Sequence, residues 1–577
     1  MMLMILAILG VFAARLVMVQ VVNAEELSTA ALENRLATTE IASQRADIVD
    51  RNSTVLATSA ERFHLFVDQN DVAAWERKEG GQVVASGALD AARILAPILG
   101  VSESELAADL VGDKDFQYIA KYVTPETWDL VADEKIAGID YEPVSEREYP
   151  NGDVAGNLVG FVGGKADAVG VNWGLAGIEA SYESVLLGES GSLTYERGGQ
   201  GTVIPTGVLD EDPATPGQDV MLTIDRDIQY YAQERLDEAL ATTGGRQGIV
   251  TVQHVESGEF LAIADSSSVD PNDPGASDAG DRGAASVEDV FEPGSTGKAI
   301  TVAAALEEGI VTPTSRFSVP YEYTTENGQT FKDSHEHETQ QLTTSGILVT
   351  SSNTGTVKIG EQLSEAQRYE YLEKFGFGTR TGVGMPTESP GILRDWEDWD
   401  GRTEYAVLYG QGVAVTALQT SQVYQTLANG GVRVQPSVVK GFVDGHGEFT
   451  PAEDTEPVRV VSEETADQVM LMLEDVTESG TGGLAKIDGY RVAGKTGTAQ
   501  AVGTSGELDS IVASFVGVAP ADDPEIVVSV IVFDPKSSIW GGEVAAPVFS
   551  DVATFALQAL RVPPSAPAEE MYPTTWE

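Results

Sequence analysis

From Met1 to Asn23 the chain is almost wholly apolar, interrupted only by Arg15 and Gln20. In a helix, about 20 such residues rising ~1.5 Å each cover the ~30 Å hydrocarbon layer of a bilayer. A helix closes every backbone hydrogen bond within the segment, as a lipid environment demands. The run therefore predicts a single transmembrane helix, an anchor over residues 1–24. A cleavable signal peptide is the rival, because Val22-Asn23-Ala24 offers small residues near a cut. The absence of a basic start and the charge at Arg15 argue against it. No Lys or Arg precedes the apolar run, so orientation is weakly encoded and an extracytoplasmic placement of the remaining chain leans on its function. Arg15 can snorkel or face a partner helix.

At 577 residues, 42% hydrophobic and 22% charged, the chain is long enough for two or more cored domains. Against 90 Asp+Glu stand 35 Lys+Arg, a formal charge of −55 that repels nucleic acid and anionic lipid alike. Nucleic acid is thus not an expected partner, and the acidity reads as a solvated surface that aids solubility. There is no Cys, which excludes disulfides, cysteine nucleophiles and thiolate metal sites together. Of the five His, only His335-Glu336-His337-Glu338 invites a metal reading, since alternation on a strand would put both imidazoles on one side. No further ligand set is evident, so a polar loop is the expectation and no metal is expected.

Between residues 25 and 44 the spacing of Leu27, Ala31, Leu32 and Leu36 suits a juxtamembrane helix acting as a stalk. Residues 45–215 are rich in Gly and in short alternating apolar stretches, such as Thr54 to Ala57 and Arg62 to Val67. They offer few clusters suited to chemistry and read as a mixed α/β pedestal, giving a stalk-and-pedestal domain over 25–215. A Pro/Gly/Asp linker at Pro213 to Gln218 opens a second domain, 216–562. It begins with a strand over Val220 to Ile224, a helix capped by Asp225 and running through Ala241, and a hairpin of Gly248 to His254 with Glu259 to Ala264. Ser266 to Asp289 reads as a loop without a core, and helical and strand patterns alternate from Phe291 to about Leu560. Residues 563–577, opening Pro563-Pro564-Ser565-Ala566-Pro567, are expected to be a disordered tail.

Glu292-Pro293-Gly294-Ser295-Thr296-Gly297-Lys298 precedes an apolar run of small and branched residues that suits a buried helix. Ser295 is then at a helix N-terminus, and Lys298, three residues on, returns to the same face. A serine hydroxyl near neutral pH requires a base, and Lys serves only if burial or nearby cations leave it neutral. Free N–H groups at the helix start can also stabilise an oxyanion. Ser-x-x-Lys alone is weak evidence. It recurs as Ser437-Val438-Val439-Lys440, but in a strand-like run where positions i and i+3 point to opposite faces.

More specific is the ordered set Ser295-x-x-Lys298, Ser351-Ser352-Asn353 and Lys495-Thr496-Gly497-Thr498. With Ser-Asp-Asn in the middle, this combination marks penicillin-binding proteins and class A β-lactamases, and the chain resembles the former. Ser351 can pass a proton towards a leaving amine, and Asn353 can hold the substrate backbone. Lys495 and the hydroxyls of Thr496 and Thr498 can bind a carboxylate, while Gly497 on an edge strand would let an extended peptide approach. These features suit a stem peptide ending in D-Ala-D-Ala. The resemblance implies an oxyanion hole from the N–H groups of Ser295 and Thr498.

Arg45-Ala46-Asp47-Ile48-Val49-Asp50-Arg51-Asn52 is similar to the signature that opens the pedestal of class B penicillin-binding proteins, with Ala46 where the family usually has Gly. Gly174 to Glu179 and Gly541 to Pro547 are similar to two further signatures of the family. The fold implied is multi-domain α/β: a transmembrane helix, a mixed α/β pedestal of the dimerisation type, and a transpeptidase domain with a central antiparallel sheet and helices. The function implied is cross-linking of peptidoglycan stem peptides through an acyl-enzyme on Ser295, without metal or organic cofactor, and with β-lactams as acylating ligands. Because no glycan-polymerising domain precedes the pedestal, the resemblance implies a separate membrane glycan polymerase as partner. The anchor, with Arg15 and Gln20, resembles the division-specific branch, which implies division proteins as further partners. An elongation-type transpeptidase, an inactive division scaffold and a β-lactamase remain alternatives.

Overall fold

The computed structural model describes the chain apart from residues 24–28, 30, 31, 33, 34, 42, 165–171, 198–203, 205, 206, 454, 502–509 and 569. The chain divides into two compact units.

The first unit comprises Met1–Ala46, Ser184–Asp219 and Asp444–Gly447. Its apolar start is a helix over Met2–Val17 that widens into a π turn at Met18–Val22. From Met2 to Gln20 the mean hydropathy is 2.5 and no side chain is buried, so the helix is apolar all round with no protein core to receive it. Nine of the twenty residues of the expected stalk helix, 25–44, lie outside the described ones, and its end is corrected. Leu36–Ile41 is a strand, paired antiparallel with Gly191–Glu196, which pairs onward with Leu209–Asp212. The β-branched run Thr38-Thr39 and Ile41 favours extension, and cross-strand partners override the weak helical spacing.

The second unit comprises Asp47–Glu183, Val220–Val443 and Glu448–Glu577. Its N-terminal portion is organised by one long strand, Val55–Val67, paired on one side with Gln117–Val123 and on the other with Ile139–Glu148. Phe63, Leu65 and Val67 alternate inward, as a period of two requires, and meet Leu95 and Leu106 from the helices Gly87–Leu99 and Glu103–Leu110. The Asp50 carboxylate is buried and folds the signature turn by accepting from the N–H groups of Asn52 (2.8 Å) and Thr54 (2.7 Å).

The C-terminal portion opens with α1 (Arg226–Thr243), β1 (Gln247–His254) and β2 (Phe260–Asp265). There follow α2 (Lys298–Glu307), α3 (Thr344–Val349), α4 (Asn353–Gly360), α5 (Ala417–Ala428) and α6 (Glu463–Glu478). The portion closes with β3 (Ala493–Ala501), β4 (Ser510–Ala519), β5 (Ile526–Phe533) and α7 (Ala546–Leu560). The five strands form an antiparallel sheet in the order β2-β1-β5-β4-β3, with β3 at an edge. Every residue of β5 is buried because both faces are covered. On one face lie α1 and α7, through Ile228, Leu236, Phe549 and Val552; on the other lie α2, α5 and α6.

The helix start expected at Asp225 is present, with its carboxylate accepting from Asp227 N (3.0 Å) and Ile228 N (3.2 Å). The same side chain accepts from Asn52 Nδ2 at 3.0 Å. Asp225→Ala should therefore lower stability by about 1–2 kcal/mol, read as a shift in denaturant midpoint at unchanged slope.

Two loop expectations require correction. The stretch from Ser266 to Asp289 carries a helical turn at Ala285–Glu288, and Val269 and Val287 are buried. Asp265 holds that turn by accepting from Ser286 N (2.8 Å) and Ser286 Oγ (3.0 Å); burial raises its carboxyl to about 7. The segment 563–577 is not a free tail over its described residues. Ser565 N donates to Gly489 O, Ala566 N to Asp522 Oδ2, and Trp576 Nε1 to Phe317 O. Proline density suppresses helix and strand, but it does not prevent side chains such as Tyr572 and Trp576 from finding apolar and backbone partners.

Candidate active site

Ser295 lies on a tight turn, Gly294–Gly297, that leads directly into α2. The turn is held from three directions. Gly294 N donates to Gly410 O at 2.8 Å, Thr296 Oγ1 to Pro293 O at 2.8 Å, and the buried Tyr424 hydroxyl to Thr296 O at 2.9 Å. Gly410 has φ +76°, and a Cβ there would stand 2.2 Å from Gly294 O, so the approach depends on glycine.

Lys298 is the first residue of α2, and every residue from Lys298 to Leu306 is buried. Its amine donates to the Ser351 carbonyl oxygen, and to Ser351 Oγ at 3.3 Å. The hydrogen bonds of Lys298 thus end on Ser351 and not on Ser295. Lys495, buried on β3, donates to the same Ser351 Oγ at 2.9 Å and to Thr496 O at 3.3 Å. One hydroxyl is shared by two lysine amines.

Burial disfavours the charged form of both. It brings Lys298 down to about 7, partly opposed by the negative charge of Asp333. Lys495 is held well below the ordinary lysine range by burial and then by the positive charge of Lys298. A neutral amine near pH 7 can accept a proton, which an ordinary lysine cannot.

Ser351 adopts φ +59°, a left-handed conformation that costs a non-glycine residue about 1 kcal/mol or more. It sits between α3 and α4, whose N-cap is Ser352. Asn353 begins α4 and donates through Nδ2 to Lys332 O at 3.1 Å.

Asp333 organises this corner. Its carboxylate accepts from Ser352 Oγ (2.7 Å), Thr354 N (2.9 Å) and the Asn353 N–H. His337 Nε2 lies 2.9 Å from the same carboxylate. Sequence reasoning missed Asp333, and the only local signal is its place just before the His335-Glu336-His337-Glu338 run. That run is a loop whose two imidazoles have separate partners: His337 Nδ1 lies 2.7 Å from Glu338 O, and the His335 ring 5.0 Å from the Trp540 ring.

Thr496 Oγ1 is 2.7 Å from Thr481 Oγ1, and Thr498 Oγ1 donates to Ile539 O at 3.3 Å. Gly497 is confined from within the protein as well. A Cβ there would stand 2.3 Å from Ser514 Oγ and 3.1 Å from both Pro293 O and Thr296 Cγ2. β4 and the Ser295 turn thus require glycine on that side. The second Ser-x-x-Lys, at Ser437, runs into the strand Val439–Val443, with Ser437 Oγ bonded to Val439 O at 2.7 Å.

Residues 248–554 match the model of the penicillin-binding protein transpeptidase domain, and residues 40–222 match that of the penicillin-binding protein dimerisation domain. Penicillin-binding protein PbpB of Mycolicibacterium smegmatis is 34% identical over 97% of this chain and 89% of its own length. The peptidoglycan D,D-transpeptidase FtsI of Escherichia coli K12 is 30% identical over 97% of this chain and 91% of its own length. Among solved structures, penicillin-binding protein 3 from Mycobacterium tuberculosis complexed with aztreonam is 29% identical and superposes with a TM-score of 0.70, covering 93% of this chain and 100% of that one. With both domain models matched in this order, and with Ser295, Lys298, Ser351, Asn353 and Lys495 arranged around the edge of one antiparallel sheet, the chain belongs to the class B penicillin-binding proteins, as a member of their transpeptidase family.

Proposed function

We propose that the chain is a peptidoglycan D,D-transpeptidase that works through a serine acyl-enzyme on Ser295 and serves septal wall synthesis. The observation that carries the chemistry is the Ser351 hydroxyl held 3.3 Å from the Lys298 amine and 2.9 Å from the Lys495 amine, beside the turn that bears Ser295. Neutral Lys298 takes the Ser295 proton as Oγ attacks the penultimate D-Ala carbonyl, and the Ser295 and Thr498 N–H groups receive the oxyanion. The proton passes through Ser351 to the leaving nitrogen, the amide C–N bond breaks, and terminal D-Ala departs. An amine of a second stem peptide then attacks the ester, and its proton returns by the same route to Ser295.

Lys495, Thr496 and Thr498 would bind the terminal carboxylate, whose charge would raise the depressed Lys495. Gly497 permits the close turn, and Asn353 would hold the donor backbone. The relatives' names, a D,D-transpeptidase and a penicillin-binding protein complexed with aztreonam, support the same substrate and drug class.

In this proposal residues 1–24 anchor the chain once in the cell membrane and the remainder lies outside it. Residues 25–215 serve as stalk and pedestal, and 216–562 as the transpeptidase domain. A separate glycan polymerase and division proteins are the proposed partners. The anchor carrying Arg15 and the pedestal signature from Arg45 to Asn52 favour division over elongation.

Intact-mass measurement of the detergent-solubilised chain after exposure to a penicillin tests this. A single lasting adduct is expected on the native chain and none on Ser295→Ala. Drug loss without a lasting adduct would replace transpeptidation by hydrolysis, and a folded chain that takes no adduct would point to a scaffold.

A further inference from the structure

The strand Gln340–Thr343 leads into α3 and so into Ser351. On one side it pairs with Arg316–Val319. On the other it meets residues from the far end of the sequence. Thr343 N donates to Thr574 O at 3.0 Å, Trp576 N to Gln341 O at 3.2 Å, and Leu342 bridges Thr575 in antiparallel fashion. Trp576 Nε1 reaches Phe317 O and Leu342 O, both at 3.2 Å, and the Arg316 guanidinium lies 5.4 Å over its ring. Tyr572 packs against the main core.

Two side-chain features show that this contact is built into α3. Thr343 caps the helix by accepting from Gly346 N at 3.0 Å, and the same hydroxyl donates to Pro573 O at 2.6 Å. Gly346 has no Cβ to obstruct the contact; one placed there would stand 1.9 Å from Thr574 O. The helix that starts under residues 573–576 ends at the motif, where Ser351 N donates to Leu348 O (3.2 Å) and Ser352 N to Ile347 O (3.1 Å). A short helix passes a shift at its cap to its far end, because each turn is fixed by hydrogen bonds to the turn before it.

We infer that residues 573–576 form a strap that positions Ser351 and Asn353 for acyl transfer; this rests on the function proposed above. Without the strap, Thr343 N–H and Gln341 O lose their partners, the Thr343 hydroxyl loses the acceptor for its proton, and α3 loses the contact that sets where its cap lies. These are positioning residues, since none touches the reacting atoms. The chemistry they adjust is the placement of the Ser351 hydroxyl between Lys298 and Lys495, where a displacement of about 1 Å is enough to slow reaction by up to 100-fold.

The test compares the detergent-solubilised full chain with a version ending at Glu570 and with Trp576→Ala. Two readouts are taken: labelling of Ser295 by a fluorescent penicillin, resolved into affinity and acylation rate, and amide hydrogen exchange over residues 344–353. For the shortened chain the acylation rate should fall by about tenfold or more with affinity changed less than about twofold. Exchange over 344–353 should quicken while β5 remains protected. A synthetic peptide of residues 571–577 should restore the rate, and Trp576→Ala should lose about threefold. A folded shortened chain that acylates at the native rate overturns the strap, as does a rate loss the peptide cannot repair. If the shortened chain does not fold, Trp576→Ala decides, and an unchanged rate there overturns it. If the intact chain takes no label, the reading of Ser295 fails instead; unchanged exchange over 344–353, which needs no reaction, would overturn the strap separately.

Discussion

Lys298→Met should leave a folded chain whose acylation by a penicillin is slower by about 10²- to 10⁴-fold, the range spanned by loss of a positioned general base. Methionine approximates the volume of the lysine stem and removes a buried amine, so the buried helix start should survive the change. The pH profile gives the sharper measurement. Burial brings Lys298 down to about 7, and only its neutral form can accept the Ser295 proton. Acylation of the native chain should therefore rise with pH through about 7 and level off above it. The Lys298→Met variant should lack that inflection.

The sign of the stability effect follows from the same depression. Between the folded value near 7 and the ordinary lysine range, the unfolded chain holds a proton that the folded chain does not. Native stability contributed by this group should thus rise with pH across that window and be lowest below it. Lys298→Met should flatten this dependence, giving a variant more stable than the native chain at acid pH but nearly inert. A stopped-flow acylation series from pH 5.5 to about 9, paired with denaturant midpoints, separates the two effects. Unchanged acylation in the Lys298→Met variant would move the base from Lys298 to the other amine on Ser351, Lys495.

Glu179→Ala should destabilise the chain by about 3–5 kcal/mol, the cost of stranding a buried charge. Arg147 Nε meets Glu179 Oε1 at 2.7 Å with side chains only 2% and 0% exposed. The Tyr149 hydroxyl lies 3.3 Å from the same oxygen and accepts from Val162 N at 3.2 Å. Removing the carboxylate leaves the guanidinium buried with less compensation. Replacing both partners, as Arg147→Met with Glu179→Leu, should recover most of the loss, because it removes the need for the charge as well as the pair. Calorimetric transition temperatures of Glu179→Leu, Arg147→Met and the double variant, beside Glu179→Ala, measure this. A double-variant loss equal to the sum of the two single losses would show that the pair is not coupled. The family signature from Gly174 to Glu179 thus has a physical basis at its last residue.

Much of the local structure was legible in the sequence because its causes are local. The apolar start reads as a helix from hydropathy and length alone. Asp225 announces a cap because its carboxylate reaches N–H groups two and three residues ahead. The hairpin of β1 and β2 follows from two apolar runs flanking Ser257-Gly258. Ser295 and Lys298 fall together because a helix returns to one face every three or four residues. The order of the three motifs marked them as one set.

Where those motifs meet was a matter of packing. The sequence does not say that the Lys298 amine would turn to Ser351, or that Lys495 would share that hydroxyl. Both outcomes depend on α2, the α3–α4 corner and β3 closing around one point, and on burial deep enough to depress both amines. Asp333 carries no motif of its own. It acquires a role because the fold brings it to the N-terminus of α4, where unpaired N–H groups require an acceptor. Gly497 and Gly346 are glycine for reasons lodged in other segments, Ser514 with Pro293 and Thr574 respectively, whose approach no local pattern records. The same holds for the strand that replaced the end of the stalk helix and for the strap at residues 573–576. Short-range hydrogen bonding and periodicity are written in adjacent residues, whereas a buried charge, a close approach or a paired edge has meaning only once distant segments share one core.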